Sequence, residues 1–315
     1  VTGLFMLIAA AVLLSAGAEA FAEHVAAAGR RVGATTVMVG LLLAGTEPEE
    51  LMTAVLAALR DRPGLAVGDA IGANITLATL VLGALALITP IALTGRVRTY
   101  AWAAATAATA AAVAVVTDGA VSAAEGVVLL ALYLAIVIAL WSRDRRPPVI
   151  GEIADLQDEP AGPVDSDGHD WTLGLLATLG GVAMMGLGGW LAVVGAGRIV
   201  ADFGLTDTTV GLTLVALATT GEFVALLVAT SRRGITEVAV AAVFGSVLYN
   251  ATVTLGAAAI AAPLPTDRPA TIAAAAAAAL PITAIALGGP DRTLTRPAAV
   301  ALVCTYALYV AVTIA

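Results

Sequence analysis

Residues 39–51 read VGLLLAGTEPEEL, and the reading of this stretch decides the fold. Three carboxylates (Glu47, Glu49, Glu50), a glycine (Gly45) and a proline (Pro48) interrupt an otherwise apolar segment. As a solvated loop the stretch fails on length, because Val37–Leu43 is too short to complete a membrane span without the residues beyond Pro48. As a span it is costly: a carboxylate at the centre of a membrane helix costs about 2.5–3.5 kcal/mol. Pro48 removes a backbone donor and Gly45 is a weak helix former. The helix is therefore predicted to break here and expose carbonyl oxygens.

The rest of the chain supports the membrane reading. Of 315 residues, 60% are hydrophobic and only 12% charged, with a mean hydropathy of +0.98. Soluble domains carry about 25% charged residues, so a water-soluble fold is excluded. Aromatics are only 4%, so the helices are expected to pack closely through Ala and Gly. The single cysteine (Cys304) and two histidines (His24, His169) exclude an internal disulfide and a Cys/His metal cluster. No nucleophile–base pair points to an enzyme, no basic surface points to nucleic acid, and no resident cofactor is implied.

Ten spans are predicted, at roughly 3–22, 34–59, 65–89, 98–116, 121–141, 172–200, 207–230, 236–262, 269–287 and 297–315. The class is thus an all-α integral membrane protein. The longest polar break separates a first five-helix unit (1–141) from a second (172–315) by an acidic linker (142–171) carrying Glu152, Asp155, Asp158, Glu159, Asp165, Asp167 and Asp170. All basic residues are arginines, and eleven lie on the side of the linker against four (Arg60, Arg62, Arg198, Arg268) on the other. The positive-inside rule then puts the linker in the cytoplasm and both termini outside, in a plasma or inner membrane. A repeat of five spans re-enters the bilayer upside down, so five plus five predicts two inverted repeats, with a substrate site near the midplane on interrupted helices.

The second half carries a matching break. The seventh span reads LVALATTGEFVA over residues 214–225, a hydroxyl-rich step (Thr219, Thr220) before a lone Glu222. The third and eighth spans also correspond: LAVGDAIGANI (65–75) holds Asp69, Gly72 and Asn74, and VAVAAVFGSVLYN (238–250) holds Gly245, Ser246 and Asn250. From Glu50 to Gly72 is 22 residues, and from Glu222 to Gly245 is 23. A glutamate helix followed by a Gly-plus-polar helix, twice, is the internal repeat that the topology requires.

These segments resemble the two alpha repeats of the calcium/cation antiporter superfamily, whose motifs read close to GTSxPEL and GNxxGSNxxN or D. The resemblance extends over nearly the whole chain and implies that the motif glutamates bind a transported cation. By position these are Glu50, five residues after Gly45, and Glu222; counting back from Gly72 pairs Glu49 with Glu222 instead. Glu47 stands where the family has serine, Ala73 where it has the serine of Gly-Ser-Asn, Leu77 where Asn or Asp is usual, and Asn250 where some sodium/calcium exchangers have aspartate. Several ligands that sodium sites need are thus missing.

Calcium takes 6–8 oxygen ligands. Glu50 and Glu222 would supply charge; Thr46, Thr219, Ser246, Asn250 and carbonyls near Gly45 and Ala218 would supply neutral oxygens. Thr220 and Glu47 lie beside them in sequence. Asp69 and Asn74 either line the site and its approach or serve helix-end hydration and packing. Facing carboxylates in a water-poor site cannot both stay ionised, which couples cation binding to proton release. The expectation is Ca2+ export against H+, with a Na+-coupled or other-cation exchanger and a non-transporting membrane protein as alternatives.

Overall fold

The computed structural model describes residues 1–31, 47–144, 170–223, 236–288 and 292–315. Thr46, Gly45, most of the acidic linker and the second half of the seventh span lie outside the described residues. Ten helices are described: α1 (Thr2–Arg31), α2 (Pro48–Leu59), α3 (Pro63–Ile88), α4 (Gly95–Thr117), α5 (Ala123–Asp144), α6 (Asp170–Phe203), α7 (Asp207–Thr219), α8 (Thr236–Tyr249, continuing to Ala261), α9 (Arg268–Ala286) and α10 (Arg296–Ile314). Eight of them are long and apolar enough to cross a membrane. The exceptions, α2 and α7, are the two helices expected to be interrupted.

Helix starts are written in local chemistry. Thr94, Asp267 and Thr206 accept from backbone N–H groups at the starts of α4, α9 and α7. Ser122 and Glu125 form a reciprocal capping box on α5, with Ser122 N–H donating to Glu125 Oε2 at 2.8 Å and Glu125 N–H to Ser122 Oγ at 3.3 Å.

The repeat is regular in backbone. Gly95 and Arg268 open matching helices, and Ala123 and Arg296 open the next pair, each 173 residues apart. Helices α3 and α8 each widen into a π turn, at Leu77–Val81 and Asn250–Thr254, again 173 residues apart. Two short antiparallel ladders were not expected from the sequence: β1 (Ile91–Ala92) pairs with β4 (Thr293–Leu294), and β2 (Ala120–Val121) with β3 (Leu264–Pro265). Each ladder joins one repeat to the other, and exchanging the repeats converts one ladder into the other. The chain is therefore two inverted five-helix repeats closed around each other.

Interior position follows from the same symmetry. The apolar windows of α3 and α8 are 78% and 83% buried, against 22% for α5 and 17% for α10. α3 crosses α7 almost backbone to backbone: a Cβ on Gly72 would lie 2.5 Å from Leu212 O, and one on Gly68 2.8 Å from Leu212 N. α7 has its own π turn here, at Gly211–Val215, and Tyr309 of α10 donates to the Leu212 carbonyl at 2.8 Å. On the periphery, α1 packs chiefly on α6 through close glycine contacts at Gly3–Gly195 and Gly17–Gly181.

Candidate cation site

Pro48 opens α2, where its missing N–H costs nothing. That makes Glu47 the residue before the helix, with φ −105° and ψ 72° and no capping bond from its side chain. Its carboxylate instead reaches across to the other repeat. Asn250 Nδ2 donates to Glu47 Oε2 at 3.2 Å, and Asn250 Oδ1 accepts from Thr254 Oγ1 at 2.9 Å, which fixes the amide's orientation. Ser246, one turn before Asn250 on α8, and Glu50, one turn into α2, also lie against the Glu47 carboxyl. Their contacts with it are looser than a formed hydrogen bond: Ser246 Oγ and Glu47 Oε1 have no hydrogen-bond partner among the described residues.

Glu47, Glu49, Glu50, Ser246 and Asn250 are all buried, none more than 1% exposed. The groups that interact with Glu47 are neutral or acidic, so a buried carboxyl has no positive counterpart in that set. Among the described residues no three Asp, Glu, His or Cys side chains converge on one metal-sized point. Glu50 lies against Glu47, while Glu49, next to Glu50 on the helix, projects in a different direction. An ion held here would need neutral oxygens to complete its shell; Ser246 Oγ is placed to offer one, whereas Asn250 turns its amide nitrogen to Glu47 and its oxygen to Thr254.

The equivalent region of the second repeat is built differently. α7 passes from the π turn through Ala216–Thr219 into a tight 3-10 turn at Thr220–Glu222, the break expected from the sequence. Thr219 Oγ1 donates to Asp69 Oδ1 of α3 at 3.1 Å, with Val215 O and Ala216 O as competing acceptors at 3.2 Å. Thr220 Oγ1 is committed to Ala216 O at 2.8 Å. Asp69 Oδ2 and Asn74 Oδ1 are buried without a hydrogen-bond partner among the described residues.

Glu222 closes the 3-10 turn; its side chain, and hence any approach to Glu50, lies outside the described residues. The displacement of 173 residues sets Glu49 opposite Glu222, whereas the contact with Glu47 singles out Glu50. The structure thus brings Glu47, Glu50, Ser246 and Asn250 together, and pairs Asp69 with Thr219.

Three contributors were not read from the sequence. Thr254 holds Asn250, a link visible only as a spacing of four residues. Tyr133 of α5 and Tyr249 of α8 meet edge to face, ring centroids 5.8 Å apart at 83°, and both lie within electrostatic reach of Glu47. No local motif signals that pair, which forms between distant helices.

Inverted repeats with buried carboxylates at the start of an interrupted helix, here Glu47, Glu49 and Glu50, are the architecture of secondary transporters. A family model described as sodium/calcium exchanger protein matches residues 2–142 and 173–315, and the chain belongs to that family. Among curated proteins it is 28% identical to CaxA of Alkalimonas amylolytica, whose proposed role is antiport, over 80% of this chain and 78% of that one. It is 28% identical to the inner membrane protein YrbG of Escherichia coli, over 74% and 72% of the two chains. Among solved structures, the sodium-calcium exchanger NCX_Mj soaked with Na+ and Sr2+ covers 98% of both chains at a TM-score of 0.64 and 22% identity, which shows the shared fold.

Proposed function

We propose that the protein exports Ca2+ in exchange for H+ across the plasma (inner) membrane by alternating access, with Glu50 and Glu222 as the charged ligands of a midplane site. The observation that carries this reading is the Glu47 carboxyl, buried, bonded across the repeats to Asn250, with one oxygen unpartnered beside Glu50 and Ser246. A divalent cation bound there would neutralise like charges that cannot stay ionised together in a water-poor site, and its departure would leave them to protons.

Thr46 and Thr219 add neutral oxygens near the two helix breaks. Ala73 and Leu77, the counterparts of Ser246 and Asn250 at the displacement of 173 residues, add none. A one-sided shell of this kind supports one divalent cation and protons over several sodium ions. The first two helices of each half move against the rest, and the close α1–α6 pairing gives that motion a rigid unit.

The test is reconstitution in vesicles loaded with Ca2+ and a pH-sensitive dye. Ca2+ flux should follow an imposed proton gradient; flux that follows only a sodium gradient would replace H+ with Na+ as the coupling ion, and flux under neither would remove Ca2+ as cargo. Asn250→Leu should cut proton-driven Ca2+ flux about tenfold, because removing the amide leaves Glu47 and Thr254 unsatisfied at a cost of about 1–3 kcal/mol. Unchanged initial rates in that variant would take Asn250 out of the site.

A further inference from the structure

Away from the carboxylates, a cleft of about 560 Å³ opens between the α2–α3 turn and the end of α6. Three arginines line it: Arg60 and Arg62 on the turn, and Arg198 on α6. The sequence places only four arginines on this face of the membrane, where the charge bias of topology disfavours them, and three of the four meet at this one place.

Each of the two turn arginines is held by a specific contact. Arg62 pairs with Asp207 at the start of α7 at 2.9 Å, and its guanidinium lies on Gly197, where a Cβ would sit 2.7 Å from the guanidinium carbon. Any larger residue at 197 would push that cation out of the cleft. Arg60 lies over the Trp190 ring, 5.9 Å from its centroid. Trp190, 38% exposed, lies midway along the apolar span of α6, while Gly197, Arg198 and Ala201 carry the cleft into the last turns of that helix, so Arg198 stands at headgroup depth. Asp61, in a left-handed turn conformation, also lines the cleft. Asp207 is committed to Arg62, and neither Arg60 nor Arg198 makes an ion pair among the described residues. Three guanidinium groups against two carboxylates leave a net positive cleft.

The geometry points to a binding site for the phosphate of an anionic lipid headgroup, held between Arg60 and Arg198. Guanidinium planes match phosphate oxygens in pairs, which an ammonium does not, and basic pockets between membrane helices take up such headgroups. The lipid bridges α6, and so the α1–α6 pair, to the α2–α3 turn of the interior. This site does not depend on which ions are exchanged.

The full chain is purified in detergent and titrated with phosphatidylglycerol, phosphatidylcholine and inorganic phosphate, with bound species counted by native mass spectrometry and melting followed in parallel. One phosphatidylglycerol per wild-type chain is expected, with preference over phosphatidylcholine and a raised Tm. In R60Q/R198Q, whose changes fall on exposed side chains, affinity should fall at least tenfold and the lipid-dependent rise in Tm should vanish, while the lipid-free Tm is kept. Retention of inorganic phosphate by the wild type alone, without lipid, would keep phosphate recognition but make the free anion the ligand. Equal retention of phosphatidylglycerol by wild type and variant, or equal retention of the two lipids, overturns the proposal.

Discussion

Glu50→Gln is expected to slow proton-driven Ca2+ flux at least about 100-fold in vesicles carrying equal amounts of protein. The substitution is nearly isosteric, so it opens no cavity and leaves the start of α2 packed as it was. It removes one of two adjacent buried carboxyls, the one lying against Glu47, which bonds to Asn250 of α8. Losing a charged partner in a desolvated site costs about 3 kcal/mol, which is about two decades in rate. Glu49→Gln should cost far less, because Glu49 is turned away from Glu50 on the helix. Glu19→Gln, on an exposed position of α1, should cost nothing. The opposite ranking, with Glu49→Gln inactive and Glu50→Gln active, would mean that the 173-residue correspondence with Glu222 chooses the ligand and the contact with Glu47 does not.

Gly72→Val should destabilise the fold strongly, lowering its melting temperature by about 10 °C. A Cβ at this position would meet Leu212 O at 2.5 Å and the Ala216 side chain at 2.8 Å, and two of those neighbours cannot move aside. Leu212 O belongs to the π turn of α7 and already accepts from Tyr309 at 2.8 Å, while Gly68 presses on Leu212 N one turn earlier. Overpacking ordinarily costs 1–3 kcal/mol or so; against backbone on both sides the upper end applies, a fall in Tm of about 10 °C. The readout is a melting curve with size-exclusion in detergent, where Gly95→Ala is the control, since nothing stands within 4 Å of a Cβ there. A Gly72→Val protein that elutes as a single species and melts with the wild type would mean that α3 and α7 do not cross this closely.

Much of this was legible in the chain. Hydropathy placed the spans because partition into a bilayer depends on composition over a window of about twenty residues, a local property. The breaks at Pro48 and after Ala218 were legible for the same reason: proline, glycine and a carboxylate change the backbone where they stand. The class, the inverted repeat and the candidate ligands Glu47, Glu50, Ser246 and Asn250 all follow from such local signals.

The depth of the repeat was not legible, because the two halves share geometry at positions where they share no residue. Gly119 and Arg292, 173 residues apart, both take left-handed conformations, at φ 73° and 52°. Thr94 and Asp267, equally spaced, cap corresponding helices with different side chains. Packing imposes the conformation there, and any residue able to meet it serves.

The sequence by itself determined that this chain spans a membrane as five helices twice over, and where each half breaks. Only the tertiary structure decided that Glu47 faces Asn250 across the repeats while Asp69 faces Thr219, and that Arg198 shares one cleft with the distant pair Arg60 and Arg62. The physical reason is that partition and backbone preference act within a few turns of helix, whereas the choice of partner depends on which small residues let distant helices approach.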